Sequence, residues 1–139
     1  MDKNRSELFG QFCYDDSLTY EDLLRVEEIL ISDLQNLFSR ATAEHIDFTP
    51  LGDALMCQCV FEEHKQYIYR KIAQEITAIL PKGVTGRLLC VDKNLNGMHI
   101  YWLEAGQWQE EERNIPEVAP SGLKVWSVPQ IRTEEFIEN

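Results

Sequence analysis

The apolar residues between Leu23 and Phe38 recur at intervals of three and four, which is the spacing of one face of an α-helix. The stripe consists of Leu23, Val26, Leu30, Leu34, Leu37 and Phe38. Thr19 and Asp22 form a variant capping box at its start, where the helix dipole favours negative charge. The pattern predicts an amphipathic helix over residues 20–40, whose apolar face must be buried against a second layer.

Shorter patterns in the rest of the chain supply that layer. Alternation or short apolar runs predict strands at residues 41–48, 53–61, 87–91, 98–103, 107–113 and 123–128. A second helix is predicted over residues 63–80, with Glu62 and Glu63 at its start, from the stripe of Ile68, Ile72, Ile76 and Ile79. We therefore predict an α+β domain, in which two amphipathic helices pack on an antiparallel, meander-like β-sheet of four to six strands.

The length of 139 residues predicts one domain over residues 1–139. The patterning is weak at both ends, and we expect residues 1–18 and 130–139 to be flexible. Within the first segment, Leu8, Phe9 and Phe12 suggest at most one short helical turn, which Gly10 interrupts. Near the C-terminus, one helical turn is predicted over residues 133–137.

Net charge restricts the classes of partner. The chain has 24 acidic and 13 basic residues, a net charge of −11, and a pI near 4.6. Phosphate groups would repel this average surface, so we expect neither direct nucleic-acid binding nor binding to an anionic membrane. The first residues carry no apolar stretch of signal-peptide length, and no apolar run approaches the ~20 residues of a membrane span. Together with four irregularly spaced cysteines, these features predict a cytoplasmic protein.

Three cysteines and one histidine are the candidates for a metal site. Cys57 and Cys59 share one face of the predicted strand 53–61, and His64 and Cys90 could complete a Cys₃His zinc site. The spacing matches no zinc finger or ribbon, and Leu55 and Phe61 flank the pair as in a buried strand face. We expect the thiols to pack as small hydrophobes, with no metal and no cofactor.

The loop Asp92-x-Asn94-x-Asn96-Gly97 resembles the first half of a calcium-binding loop. It offers one carboxylate and two amides, whereas calcium takes six to eight oxygen ligands. Leu103 occupies the position where an EF-hand has a bidentate glutamate. We expect a hairpin turn stabilised by Asx hydrogen bonds, with Asn96 and Gly97 in left-handed conformations.

Motifs of nucleophilic catalysis and of phosphate binding are missing from the sequence. No Gly-x-Ser-x-Gly, Cys-Gly-x-Cys-Trp or Gly-Lys-Ser/Thr occurs. His99 and Cys90 lie on strands expected to pair, but a lone histidine on a sheet is usually structural. We expect the protein not to be an enzyme.

Two acidic regions are candidates for binding a protein with a basic surface. Trp108 followed by Glu110, Glu111 and Glu112 has the composition of an apolar anchor with a charged rim, and the predicted first helix carries Glu27, Glu28 and Asp33. The alternative for the first region is an edge strand protected by charge, with Trp108 packed inward. The alternative for the second is an ordinary solvated helix face.

Residues 64–117 resemble the YezG-like family of small acidic bacterial antitoxin or immunity proteins. The resemblance consists of the helix Tyr67–Ile76 followed by Leu80-Pro81, the aromatic strand Ile100-Tyr101-Trp102 and the closing Ile115-Pro116-Glu117. It implies binding and neutralisation of a toxin, often a nuclease, and brings no catalytic residues. We therefore expect a protein-binding module in the role of an immunity protein or inhibitor. A regulatory or adaptor domain and a thiol- or metal-dependent enzyme are the alternatives.

Overall fold

The computed structural model describes residues 5–116 and 121–122. Its elements are, in chain order, β1 (Ser6–Tyr14), α1 (Tyr20–Arg40), β2 (Glu44–Pro50), β3 (Ala54–Phe61), α2 (Gln66–Ile79), β4 (Val84–Asp92), β5 (Gly97–Glu104) and β6 (Gln107–Asn114). Two helices and a six-stranded antiparallel sheet confirm the predicted α+β class. Neither helix is long and apolar enough to cross a membrane, as far as the described residues go.

The strand order is β2-β3-β1-β4-β5-β6. The first six elements form a β-α-β-β-α-β unit, in which α1 connects β1 to β2 past β3, and α2 connects β3 to β4 past β1. This is the split arrangement of the ferredoxin-like motif. β5 and β6 extend the sheet beyond β4 through two short hairpins.

Both helices contribute to one core. The buried residues of α1 and α2 and alternate residues of the strands form a single apolar cluster. The predicted facing of strand 53–61 is confirmed, because Cys57 and Cys59 point into this cluster. Phe12 packs over Gly86, where a Cβ atom would lie 2.6 Å from the Phe12 ring. A larger residue at that position would displace the ring, since cores tolerate added volume poorly.

The helical turn expected around Leu8, Phe9 and Phe12 is wrong. Residues 6–14 form a central strand that pairs with β3 on one side and with β4 on the other. Gly10, which looked like a helix breaker, lets Cys57 and Leu88 approach the backbone. Burial alternates along this strand, with Leu8, Phe12 and Tyr14 on the inner face, but Gly10 on the same face and the apolar Phe9 on the other obscure that alternation in the sequence.

Several predicted boundaries also shift. α2 begins at Gln66 with Lys65 as its N-cap, so Glu62 and Glu63 lie before the helix and not in its first turn. The strand predicted at 41–48 runs over Glu44–Pro50. The strand predicted at 123–128 and the turn at 133–137 lie outside the described residues, as does the end at 130–139.

The β4–β5 turn is an Asx turn, as predicted, but its left-handed residue differs. The Asp92 carboxylate accepts hydrogen bonds from the backbone N–H groups of Asn94 (3.1 Å) and Asn96 (3.0 Å). The positive φ of 58° belongs to Leu95, and neither Asn96 nor Gly97 adopts one. Local side-chain hydrogen bonds thus override the usual preference for Asn-Gly at this position.

Candidate functional site

Trp108 is half-buried against the core and lies 5.9 Å, between ring centroids, from Tyr101. It lies on β6, which is an edge strand of the sheet in the described part of the chain. This arrangement agrees with the inward-packed alternative. Trp108 is therefore not available as an exposed anchor.

Glu110 holds the N-terminal half of α2 against β6. Its carboxylate accepts hydrogen bonds from Arg70 (2.9 Å), from Gln66 (3.0 Å) and from the hydroxyl of buried Tyr101 (2.6 Å). The Arg70 hydrogen bond, with smaller contributions from Tyr101 and Gln66, lowers the pKa of Glu110 to about 2. Because three side chains of the same molecule already donate hydrogen bonds to this carboxylate, Glu110 is a poor candidate for binding a partner.

The other two acids of β6 are on opposite faces of the strand. Glu111 forms an ion pair with Arg113. Glu112 is exposed on the same side as Glu110 and contributes to the raised pKa of Arg70. The charge of the acidic run is thus largely matched by neighbouring cations.

On α1 the three predicted acids have different environments. Glu27 is buried and accepts a 2.9 Å hydrogen bond from the Tyr14 hydroxyl, so it joins the helix to β1 and does not face solvent. Glu28 is exposed and Asp33 is half-buried on the outer side of the helix. The assignment of Glu27 to the polar face is therefore a correction, caused by a tertiary hydrogen bond.

The tertiary structure separates the charges into two halves. Residues 5–63, which form β1, α1, β2 and β3, contain 13 acidic and 3 basic residues, a net charge of −10. Residues 64–116, which form α2, β4, β5 and β6, contain 6 acidic and 7 basic residues, a net charge of +1. Because β2, β3 and β1 are adjacent in the sheet, one half of the molecule is strongly acidic and the other is nearly neutral.

The acidic half also exposes large apolar side chains, which sequence patterning did not single out. Ile29 is 59 % exposed on the outer side of α1, next in sequence to Glu28, and Leu24 and Tyr20 are exposed nearer its N-terminus. Arg25 on this helix is paired with Asp22 at 2.9 Å. We call the outer side of α1, centred on Ile29, Glu28 and Asp33, the α1 surface. On this surface Asp33 lies beside Ile29, four residues along the helix, and Glu28 lies about 100° further around it.

The thiols expected in the core are there. Burial raises the pKa of Cys57 and Cys59 to about 12 and that of Cys90 well above its ordinary value. The thiolate is the nucleophilic and metal-binding form of cysteine, and burial disfavours that form at these three positions. Within the two described ranges, no three His, Cys, Asp or Glu side chains are placed to hold a metal ion.

A buried polar cluster, which no pattern in the sequence predicts, lies near the start of α2. The Tyr69 hydroxyl contacts the Ser6 hydroxyl and lies 3.1 Å from His64 Nδ1. The His64 and His99 rings are 5.3 Å apart, and the buried Nδ1 of His99 has no hydrogen-bond partner in the described residues. Burial, and then the charge of His99, lower the pKa of His64. Ser6 and Tyr69 are fully buried and His64 is partly exposed, so the cluster joins β1, α2 and β5 and reaches the surface at His64.

The sheet has a second face, which points away from both helices. Its apolar side chains form a patch across four strands: Phe9, Met56, Val60, Leu89, Ile100 and Trp102. Phe9 and Trp102 are 38 % and 41 % exposed. A shallow groove of about 400 Å³ runs along one end, bordered by Trp102, Arg87 and Gln11. We call this surface the open face.

The geometry thus offers two candidate surfaces, the α1 surface and the open face, and neither contains a catalytic arrangement among the described residues. Comparison with known proteins adds no assignment to them. No protein-family model matches the chain, and no curated protein matches it significantly.

Proposed function

We propose that this protein is a cytoplasmic, non-enzymatic binding module that docks a basic protein on its α1 surface. More specifically, we propose that it acts as an immunity protein or inhibitor, as the resemblance to the YezG-like family implies. In that role the acidic half would occupy the basic groove of a toxin such as a nuclease, in place of its phosphate-bearing substrate.

The observation that carries the proposal is the separation of charge, −10 in one half of the molecule and +1 in the other. A field of one sign on one side attracts and orients a cationic protein at long range. The α1 surface adds the exposed Ile29 with Asp33 beside it, and a partner could bury this side chain as an apolar anchor of the interface.

The choice of a binding role over a thiol- or metal-dependent enzyme follows from burial. Cys57, Cys59 and Cys90 are buried and their pKa values are raised. Cys13 is the exposed thiol of the described chain. An adaptor role would use the same surface, and the identity of the partner distinguishes it from an inhibitor.

The test uses two charge-reversal variants that change the net charge equally. Glu28→Lys/Asp33→Lys alters the α1 surface, and the control Glu104→Lys/Glu112→Lys alters exposed residues of the near-neutral half. Basic proteins encoded beside this gene are purified and titrated into each variant by calorimetry, at about 50 mM and about 300 mM NaCl. Where one is a toxin, growth rescue by co-expression is scored in parallel.

We expect a basic partner to bind the wild type and the control, and to bind Glu28→Lys/Asp33→Lys at least about 10-fold more weakly. Its affinity should fall as salt rises, because exposed charges are screened. Equal binding by both variants, binding that does not respond to salt, or a partner without a basic surface would overturn the proposal.

A further inference from the structure

The open face has the composition of an interface and has no cover in the described residues. Antiparallel sheets tolerate one solvated face, but that face is then usually polar. Here a contiguous apolar patch includes Phe9 on the central strand β1 and Trp102 on β5. Contiguous exposed apolar patches of this kind mark interaction sites.

We propose that the open face binds a second copy of this chain, so that two sheets pack face to face as a symmetric dimer. The size of the face fits this role. Six strands of about eight residues cover roughly 28 Å by 26 Å, or about 700 Å². Stable interfaces bury about 800 Å² on each partner.

The strand register makes the face complementary to itself. Two sheets packed face to face keep their strands within about 30° of parallel. If the twofold axis runs along the strands between β1 and β4, then β1 of one copy lies over β4 of the other, and β3 lies over β5. Phe9 and Leu89 are register partners, so each meets the other across the interface. Met56 and Trp102, which share the next row through Gln11 and Arg87, meet in the same way.

The same overlay brings charged residues together at the edges. Glu44 on β2 and Arg113 on β6 belong to one row of the register, at opposite edges of the sheet. In the overlay, β2 of one copy lies over β6 of the other, so a Glu44–Arg113 contact forms twice per dimer. Asp47 and Glu111 share the row of Phe9 and meet in the same way, as a like-charge contact that Arg113, the ion-pair partner of Glu111, offsets. A twofold axis perpendicular to the strands would place Phe9 over itself and would not bring these charges together.

The charges of the open face lie around its apolar centre, which is the part that a second copy would cover. The described strands present two cations, Arg87 and Arg113, and five anions, Glu7, Glu44, Asp47, Glu104 and Glu111, on this face, a net charge of −3. The acidic α1 surface lies on the opposite side of the sheet, and the dimer leaves both copies of it exposed. Most of the net charge of −11 therefore lies away from the open face, and repulsion between two chains is weaker where their open faces meet than where their α1 surfaces meet.

Sedimentation equilibrium of the full chain, from about 5 to 500 µM, tests the proposal by mass action. We expect the wild type to reach twice its chain mass of 16.2 kDa. Trp102→Glu, at an exposed position, should raise the dimer dissociation constant at least about 10-fold with an unchanged circular dichroism spectrum. Ile29→Glu is the matched control, an exposed apolar residue on α1, and should leave the dimer intact.

A charge exchange tests the orientation. Arg113→Glu should weaken the dimer, and the double variant Glu44→Lys/Arg113→Glu should restore it. Five strand spacings separate these residues within one chain, so rescue can only arise between chains. A wild type that stays monomeric over this concentration range overturns the proposal. A dimer that survives Trp102→Glu overturns the assigned surface, and absence of rescue overturns the assigned axis.

Discussion

At the scale of single residues, the environment of each ionisable group determines which of them are free to act. Glu27, Glu28 and Glu110 are all glutamates that lie next to other acids in the sequence. Glu27 is nevertheless buried and hydrogen-bonded to Tyr14, and Glu110 is hydrogen-bonded to Arg70. Glu28 alone remains exposed and without a recorded hydrogen bond. A basic partner can therefore form ion pairs only with carboxylates that are exposed and not already bonded within the fold.

His64 should make stability depend on pH. Its pKa in the folded state is below the ordinary value of 6.5, so the unfolded chain binds more protons in that range. Stability is then complete above about pH 7 and declines as the pH falls through 6.5 towards the lower folded value. Urea midpoints measured between about pH 8 and pH 5 should fall, and should fall less in His64→Gln, whose amide can still bond to Tyr69. Equal slopes in the two proteins would contradict this origin.

At the scale of elements, the helices are positioned by the core and by a few side-chain hydrogen bonds to the strands, which we call polar ties. Tyr14 joins α1 to β1 through Glu27, and Glu110 joins β6 to α2. The helices themselves were predicted from the period of their apolar stripes, and the cap Thr19 was predicted and accepts a 3.2 Å hydrogen bond from the backbone N–H of Asp22. The polar ties were not predicted, because their partners lie 13 to 44 residues apart.

Removing the Glu110 tie should destabilise the fold. In Glu110→Ala the buried Tyr101 hydroxyl loses its acceptor, and an unsatisfied buried polar group costs about 2 kcal/mol. Glu112→Ala on the same side of β6 is the matched control and should change the free energy of unfolding by less than about 0.5 kcal/mol. Urea denaturation measures both. A Glu110→Ala loss no larger than that of the control would show that the tie is not structural.

The Glu110 contribution also has a pH range. Because its folded pKa is about 2, below the ordinary value of 4.5, the carboxylate contributes fully above about pH 5 and loses its contribution as the pH falls towards 2. This range lies below that of His64, so one titration of stability separates the two groups.

At the scale of the whole molecule, the order of the strands in the sheet places most of the acidic residues on one side of the molecule. Residues 5–63 carry −10 and residues 64–116 carry +1, and the strands of each segment are neighbours. Like charges gathered on one side repel one another and oppose folding, an effect that salt screens.

This asymmetry predicts opposite effects for one substitution at two sites. Glu28→Lys relieves repulsion in the acidic half and should raise the thermal midpoint at low salt. Glu112→Lys places a cation near Arg70 and should lower it. Both differences should shrink above about 0.3 M NaCl, where the screening length is short. Shifts of the same sign in scanning calorimetry would contradict the asymmetry.

The sequence by itself determined the two helices, the alternating strand 53–61 and the α+β class, because the period of apolar residues reports which face of an element is buried. It also placed Cys57 and Cys59 in the core. Only the tertiary structure decided that residues 6–14 form the central strand, that Trp108 packs inward, and that the open face is exposed. These outcomes depend on which distant strands pair, and strand pairing is set by the closure of the whole chain and not by any local repeat.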